Sequence, residues 1–505
     1  MAAPIIWDDK QKVQGNRVTV DPITRLEGHG KIEIFLDDKG DVANAYWQVP
    51  EVRGFERFCI GRRVSELAQI TARLCGVCPG AHHLASTKAI DGCYNAKPTE
   101  TAYLIRDTFY NAHFVHSHIA HFYALAAPDF VCGPAAPAAE RNVLGVVGRV
   151  GLELGGAVLK TRREAQEVQA IIGGKPTHPV MGVPGGVTKA PSKEEQKRII
   201  ECAEDMVEFS KTTLQVFKDV VLANKDYLDI VLNPDLYYHE TYHMGLVNDK
   251  KQFEIHDGKV RVLNQKGEEH DLYDPYDYLD HISEGIMPWS YEKFPYLRNP
   301  GFKGLVDGPD SGIYRATPLS RLNVAESMPT PIAQEALEEY RGIFKDKGVT
   351  GPIQFSLATH WARIIELICC AEKCLEDAQS PDLTNSDIKQ YDLVPGGRGV
   401  GCVEAPRGTL THDYTCDENG IVTACNLVVG TTNNNGPMCM DVAKVAKALI
   451  HNYEVSPGLL NMVEMAFRAY DPCNSCATHS LPGQMPLSAT IRNSDGTVYD
   501  VLTRN

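Results

Sequence analysis

The chain has 505 residues, 43% hydrophobic and 23% charged, with 50 Lys and Arg against 65 Asp and Glu for a net charge of −15. These are globular proportions, large enough for a substantial core, and they exclude a disordered or fibrous chain. The acidic balance, with no clustered run of Lys and Arg, argues against a nucleic-acid binder that works by neutralising phosphates. At the N-terminus Trp7, Asp8, Asp9 and Lys10 interrupt any apolar segment before it reaches the length of a signal-peptide core. No export signal is therefore expected, although export as a passenger on a partner stays open. Residues 31–36 alternate apolar and polar, 37–41 carry Lys-Gly turn chemistry and 42–49 alternate again, which predicts a hairpin. From Glu56 to about Lys218 the pattern is mainly helical. Apolar and aromatic residues recur at three-to-four spacing over 99–125, and Ser192-Lys193-Glu194-Glu195 supplies a cap and acidic first turn for 192–221. The apolar stretches 119–139 and 142–159 are broken by Pro128 and Asp129 and by Arg149 and Glu153, so neither predicts a membrane span. Gly and Pro through 173–186 predict a rigid loop. Between about 225 and 318 the composition turns to Tyr, Asp, His and Pro, and a mixed insert is expected, with a hairpin strand at 260–263. Helical patterns return at 331–344, 353–378 and 441–469. Further hairpins are expected to turn at 417–420 and, beyond His479, at 494–496. No internal repeat or low-complexity tract interrupts this order.

Fifteen cysteines are the unusual number. In a long chain without a signal peptide a disulfide framework is not expected, so metal ligation or catalysis moves up, with most of the cysteines acting as small buried hydrophobes. Cys75-Gly76-Val77-Cys78 and Cys473-Asn474-Ser475-Cys476 form two Cys-x-x-Cys pairs with almost the whole chain between them. One pair alone reads equally as a redox dithiol or as core cysteines; two can supply four thiolates to one metal. Structural zinc fits poorly, because zinc ribbons place their pairs about 15 to 20 residues apart. Cys369, Cys370, Cys374 and Cys439 show no second four-ligand pattern, so no iron–sulfur cluster is expected in this chain.

The flanks are more specific: Arg73-Leu74-Cys75-Gly76-Val77-Cys78-Pro79-Gly80-Ala81-His82 and Asp471-Pro472-Cys473-Asn474-Ser475-Cys476-Ala477-Thr478-His479. With Asp21-Pro22-Ile23-Thr24-Arg25-Leu26-Glu27-Gly28-His29, Arg53-Gly54-Phe55-Glu56 and Glu404-Ala405-Pro406-Arg407-Gly408 in the same order, the sequence strongly resembles the large, catalytic subunit of nickel–iron hydrogenases over residues 21–479. The resemblance implies an α+β, predominantly α fold with a long-helix core and peripheral hairpins. It makes 1–479 one elaborated domain and 480–505 a C-terminal maturation peptide removed after His479; a retained C-terminal hairpin is the other reading. The uncut tail would hold His479 away from its final place and leave the precursor inactive.

Carried over residue by residue, the resemblance makes Cys75 and Cys473 terminal nickel ligands. Cys78 and Cys476 then bridge nickel to an iron carrying carbon monoxide and two cyanides, and Pro406, Arg407 and Thr431 contact the cyanides. Arg407 and Cys473 compete as first proton acceptor in dihydrogen splitting, and Glu27 passes the proton on. Asp471 either anchors Arg407 or caps the turn at Pro472. His82 hydrogen-bonds a bridging cysteine, whereas His83 is read as a core or network residue. Glu56, His479 and the carbonyl of Leu427 hold magnesium or ferrous iron. His116-Ser117-His118 departs from the His-Asp-His of periplasmic members and, with Phe122-Tyr123 and Ala127-Pro128-Asp129-Phe130, looks like the cytoplasmic, methyl-viologen-reducing group linked to heterodisulfide reductase. The partners implied are an iron–sulfur small subunit, heterodisulfide-reductase-like or flavin-containing electron carriers, a maturation endopeptidase and nickel chaperones. No Rossmann glycine fingerprint follows a predicted strand, so nicotinamide would bind elsewhere. A bidirectional NAD(P)-linked or sulfur-reducing enzyme, a hydrogen sensor, and a scaffold related to the quinone-site subunit of complex I are the alternatives. The scaffold class lacks the four cysteines that this chain keeps.

Overall fold

In the hairpin of Lys31–Leu36 (β2) and Val42–Gln48 (β3), joined on its other side by Arg17–Val20 (β1), Ile32 and Ile34 are fully buried, and Trp47 packs on Phe467 with ring centroids 4.6 Å apart. The structure is a computed structural model that describes residues 11–479, 487–493 and 497–504. The N-terminal residues 7–10 and the turn expected at 494–496 lie outside the described residues, although Leu487–Arg492 and Val498–Arg504 pair antiparallel.

Phe55–Cys59 (α1) leads through short turns to Pro79–Cys93 (α2), which begins directly after Cys78 with Pro79 in its first turn, where a missing N–H costs nothing. Glu100–Ala120 (α3) is capped by Thr99 and runs on as π-helical turns, His121–Ala126 and Pro128–Cys132, where Pro128 withdraws an amide donor. Val143–Val150 (α4) and Leu152–Gly173 (α5) follow, and then Lys193–Phe217 (α6), where the expected cap at Ser192 closes a capping box with Glu195. With Thr359–Gln379 (α9 below), α3, α5 and α6 pack pairwise into a four-helix core.

The insert is mixed, as expected. Tyr242–Val247 (β4), Lys259–Leu263 (β5) and Glu269–Tyr273 (β6) form a sheet with Tyr314–Arg315 (β9), and Ile282–Ile286 (β7) pairs with Lys293–Leu297 (β8). Helices Pro318–Val324 (α7), Pro331–Asp346 (α8) and Thr359–Gln379 (α9) lead to a meander of Gly397–Ala405 (β10), Gly408–Cys416 (β11) and Val422–Val428 (β12). Its first connection is the two-residue turn Pro406-Arg407. Helix α2 lies directly on β10 because Gly399 and Gly401 have no side chain there; a Cβ would come within 2.0 Å of the Ala89 and Ala85 carbonyls respectively.

Two helical expectations change. The 353–378 pattern becomes helical α9 only from Thr359, after a 3-10 turn at Ser356–Ala358. The 441–469 pattern is two helices, Asn435–Leu449 (α10) and Pro457–Arg468 (α11), because Asn452 and Tyr453 take positive φ, and Ser456 caps a helix whose first residue, Pro457, has no N–H for a preceding turn. Among the described residues no helix is long and apolar enough to cross a membrane.

A buried ion cluster ties α7 to α3, α9 and β10. Arg321 of α7 donates to both oxygens of Glu366 at 2.6 Å, to Glu404 Oε2 at 3.0 Å and to the Ala405 carbonyl at 2.9 Å, while His118 Nε2 lies 3.0 Å from Glu366. All four side chains are buried. Arg321→Met would strand two buried carboxylates beside the Pro406-Arg407 turn. A loss of about 3–5 kcal/mol is expected, read by denaturant unfolding, and a loss under about 1 kcal/mol would refute the clasp.

Candidate metal centre

The first cysteine pair sits between the 3-10 turn Ala72–Leu74 and α2, and Cys75 Sγ accepts from the amides of Val77 (3.1 Å) and Cys78 (3.0 Å). The second pair follows α11 through Asp471, whose φ of 54° turns the chain back, and Cys473 opens the short helix Asn474–Ala477 (α12). Its amide donates to Thr431 Oγ1 at 3.0 Å. The motif that carries Glu27 is laid against this turn, with the Asn474 amide donating to the Glu27 carbonyl at 3.0 Å. All four sulfurs are buried and lie within 4.8 Å of one another. Cys75–Cys473 and Cys78–Cys476 are 3.3 and 3.5 Å apart and Cys473–Cys476 2.6 Å. Two sulfurs each about 2.3 Å from one metal stand roughly 3.3–3.8 Å apart, so the cross-pair spacings fit a shared ion.

The electrostatics also fit a cation. Burial raises the thiols of Cys75, Cys473 and Cys476. At Cys75 hydrogen bonds from Cys473, Cys476 and Cys78, and then the Arg407 charge, overcome that and hold it well below the usual thiol range. Cys473 is driven up by burial and by the adjoining sulfurs; Cys476 is driven up by burial and by Cys75 and Cys78, against a hydrogen bond with Cys473 that lowers it. Four such groups can all ionise only around a positive ion.

Arg53, quoted in a motif but given no role from sequence, clasps the two pairs. Its guanidinium donates to the carbonyls of Leu74 (2.6 Å), Arg73 (3.2 Å) and Ser475 (3.1 Å). Arg53→Ala is expected to cost about 2–3 kcal/mol in thermal unfolding and to lower metal affinity about 10- to 100-fold by elemental analysis. Unchanged stability and metal content would dismiss the clasp.

Arg407, at the tip of the β10–β11 turn, donates through Nε to the Asp471 carbonyl at 2.6 Å and through Nη2 to Asp471 Oδ1 at 3.1 Å, while its buried Nη1 has no partner. Burial opposes its charge, but Asp471 and then the sulfurs of Cys78, Cys473 and Cys75 raise it well above the ordinary guanidinium value, so it stays a charged donor. Ser117 is buried with its hydroxyl unpartnered, leaving Asp471 as the carboxylate on this guanidinium among the described residues. The Pro406 carbonyl accepts from Arg321 at 3.3 Å. Half-buried Glu27 accepts from Cys473 Sγ at 2.9 Å and from the Ser475 amide at 3.2 Å.

His82 Nε2 is 3.4 Å from Cys476 Sγ and its Nδ1 3.2 Å from His412 Nε2; His412 Nδ1 is 2.6 Å from the Tyr414 hydroxyl, which donates to Ser86 at 2.9 Å. Burial pushes His82 down to about 4, so it orients the sulfur as a neutral ring. His412 and Tyr414 were missed from sequence; their i, i+2 spacing on a strand was the available signal. His178, also missed, reaches the Cys75 carbonyl at 3.1 Å. His83 is a satisfied core histidine, 3.1 Å from the Ala68 carbonyl and accepting from the Gly182 amide.

A second polar site lies at the end of this segment. His479 is fully buried, its Nδ1 3.0 Å from the Cys476 carbonyl, and its Nε2 has no hydrogen-bond partner and sits 3.7 Å from Glu56 Oε1. Burial, then the Lys293 ammonium, push this imidazole down to about 4, leaving a lone pair on Nε2. Glu56 Oε1 accepts from the Leu427 amide at 3.0 Å and lies 3.6 Å from Lys293 Nζ. A partnerless imidazole nitrogen beside a carboxylate suits a small hard cation. The expectation that the tail after His479 holds it away is not met: with that tail present the structure seats His479 here, through Nδ1 and the Arg53 and Glu56 amides, which bond the Thr478 and His479 carbonyls.

The family model described as Nickel-dependent hydrogenase matches residues 53–143 and 157–479, and one described as HoxL-like matches 17–52. The iron-sulfur subunit of the F420-non-reducing hydrogenase of Archaeoglobus profundus is 45% identical over 481 residues, 95% of this chain and 98% of that protein. The NAD-reducing hydrogenase HoxS subunit beta of Cupriavidus necator is 37% identical over 507 residues, covering 97% and 99%. Among solved structures, an NAD+-reducing nickel–iron hydrogenase in the H2-reduced state superimposes with a TM-score of 0.85 at 35% identity, covering 93% of this chain and all of that one.

Proposed function

Because the chain belongs to the nickel-dependent hydrogenases, oxidoreductases acting on H2, we propose that it is the catalytic subunit that splits dihydrogen reversibly into protons and electrons. The observation that carries this is four buried sulfurs within 4.8 Å of one another, one of them donating to a half-buried carboxylate. Cys75, Cys78, Cys473 and Cys476 would hold the nickel, with Cys78 and Cys476 the sulfurs shared with iron. The bound nickel–iron group, with carbon monoxide and two cyanides on iron, supplies the heterolytic cleavage.

The chain's residues do the rest. Arg407, fixed by Asp471, places a permanent positive charge over the sulfurs, so it stabilises charge as a donor and leaves Cys473 as the proton acceptor. Glu27, 2.9 Å from Cys473 Sγ, takes that proton outward. Pro406, Arg407 and Thr431 would contact the cyanides, and His82 orients Cys476. Glu56, His479 and the Leu427 carbonyl would hold Mg2+ or Fe2+. No iron–sulfur cluster belongs to this chain: electrons leave through an iron–sulfur small subunit to a heterodisulfide-reductase- or ferredoxin-type acceptor, in the cytoplasm. The F420-non-reducing relative speaks against F420 as the acceptor; the NAD-reducing relative and structure favour a flavin-linked NAD(P) acceptor as the second reading. Residues 480–505 form the maturation peptide.

Elemental analysis, infrared spectroscopy and intact mass of the purified, matured complex test this reading. Nickel, carbon monoxide and cyanide bands, and a chain ending at His479 are expected. Absence of nickel or of those bands would overturn the assignment, and full activity in a chain ending at Asn505 would overturn the maturation peptide.

A further inference from the structure

We infer that Tyr470 and Asp441 are positioning residues for Arg407, and that they hold it from the mixed insert through a chain of side chains that ends at the surface on Asp307. The inference deepens the hydrogenase reading and rests on it. Tyr470 immediately precedes Asp471, whose carbonyl and carboxylate carry the Arg407 guanidinium. Tyr470 is 2% exposed, and its hydroxyl donates to Asp441 Oδ2 at 2.5 Å. Asp441 is fully buried on α10, and its other oxygen, Oδ1, lies 3.5 Å from His239 Nε2. Neither of those two atoms has a hydrogen-bond partner among the described residues, so carboxylate and imidazole face each other across that gap. On its far side His239 Nδ1 is 2.9 Å from both oxygens of Asp307, whose side chain is 43% exposed.

Asp471 needs such an anchor. Its φ of 54° is left-handed, a conformation that a residue with a Cβ keeps where its surroundings impose it. The buried Asp441 carboxylate is satisfied at Oδ2 only while the Tyr470 hydroxyl stays on it, so the network favours one placement of that ring and of the peptide that follows. Burial, against the Arg315 charge and together with the Asp441 carboxylate, raises Tyr470 above the ordinary phenol value, and its hydroxyl remains a donor.

The insert reaches Arg407 by a second route. Its Ala316 amide donates to Asn434 Oδ1 at 2.9 Å, and Asn434 Nδ2 donates to the Arg407 carbonyl at 3.0 Å. The guanidinium and the main chain of Arg407 are thus both referred to the insert, through different residues. Such bracing matters because a fixed charge acts on a reacting centre from one place, and a shift of about 1 Å can cost about 10²-fold in rate.

The test uses the purified, matured complex with Tyr470→Phe, which keeps the ring and removes the hydroxyl, and His239→Gln, which alters the chain farther from the centre. Tyr123→Phe, which removes a buried hydroxyl bonded to Thr213, is the control. For Tyr470→Phe the expected result is unchanged nickel content, H2/D2O isotope exchange lowered about 10-fold, and cyanide infrared bands displaced from those of the parent. His239→Gln should move exchange and bands in the same direction by less, and the control should move neither. Parent exchange and parent bands in Tyr470→Phe would overturn the positioning role. So would loss of its nickel, which makes Tyr470 a residue of folding, or an equal displacement in the control. A response in Tyr470→Phe with none in His239→Gln would overturn the part given to the insert. Absence of cyanide bands or of exchange in the unmodified complex would instead count against the hydrogenase reading, so the two failures are distinct.

Discussion

Cys473→Ser abolishes hydrogen uptake and empties the nickel site while leaving the fold intact. Cys473 links the sulfurs to the carboxylate: it contacts Cys75 at 3.3 Å and Cys476 at 2.6 Å and donates to Glu27 at 2.9 Å. A serine hydroxyl is a harder donor than a thiolate and does not ionise near neutral pH, so one soft ligand is lost and the proton path to Glu27 loses its first acceptor. The backbone keeps its place because the residue's amide still donates to Thr431 and the neighbouring Asn474 amide to the Glu27 carbonyl. Uptake is expected to fall at least about 10³-fold, beyond the 10- to 100-fold typical of losing an outer-shell partner. Nickel analysis and circular dichroism on the same sample separate ligand loss from misfolding; retained nickel with retained uptake would refute the ligand assignment.

Glu27→Gln leaves nickel and iron bound and suppresses proton exchange. Glutamine has the same size and its carbonyl oxygen can still accept from the Ser475 amide, as Glu27 does at 3.2 Å. It cannot take up and release a proton at neutral pH, so the step that clears Cys473 slows by about 10²–10⁴-fold. The expected signature is a collapse of H2/D2O isotope exchange with unchanged nickel content and unchanged carbon monoxide and cyanide bands. Exchange at the parent rate would remove Glu27 from the relay. Glu27→Asp, one methylene shorter, should recover part of the exchange, because the acid survives while its reach to the sulfur does not.

Much of the centre was legible because its information is local. Cys-x-x-Cys spacing, Pro79 opening a helix directly after Cys78, and Ser192 with Glu195 are settled by neighbours within a turn or two. The apolar stretch 142–159 was legible only in part. Arg149 and Glu153 ruled out a membrane span, and the structure divides the stretch at Gly151 into two helices whose outer side chains face solvent. Periodicity reports which side of a helix is apolar, not whether another chain covers it.

By itself the sequence determined which four thiolates can share a soft metal and the α+β elements that frame them. Only the tertiary structure decided how those groups are held. Arg53 joins carbonyls on either side of the centre, Arg321 gathers Glu366 and Glu404 behind the Pro406-Arg407 turn, and His412 and Tyr414 extend the contact of His82. The 441–469 pattern likewise broke into two helices around Asn452 and Tyr453. The reason is physical. Ligand type and helix period are written within a few neighbouring residues, whereas a buried guanidinium or imidazole is satisfied by whichever distant carbonyl or carboxylate the packed core brings within about 3 Å of it.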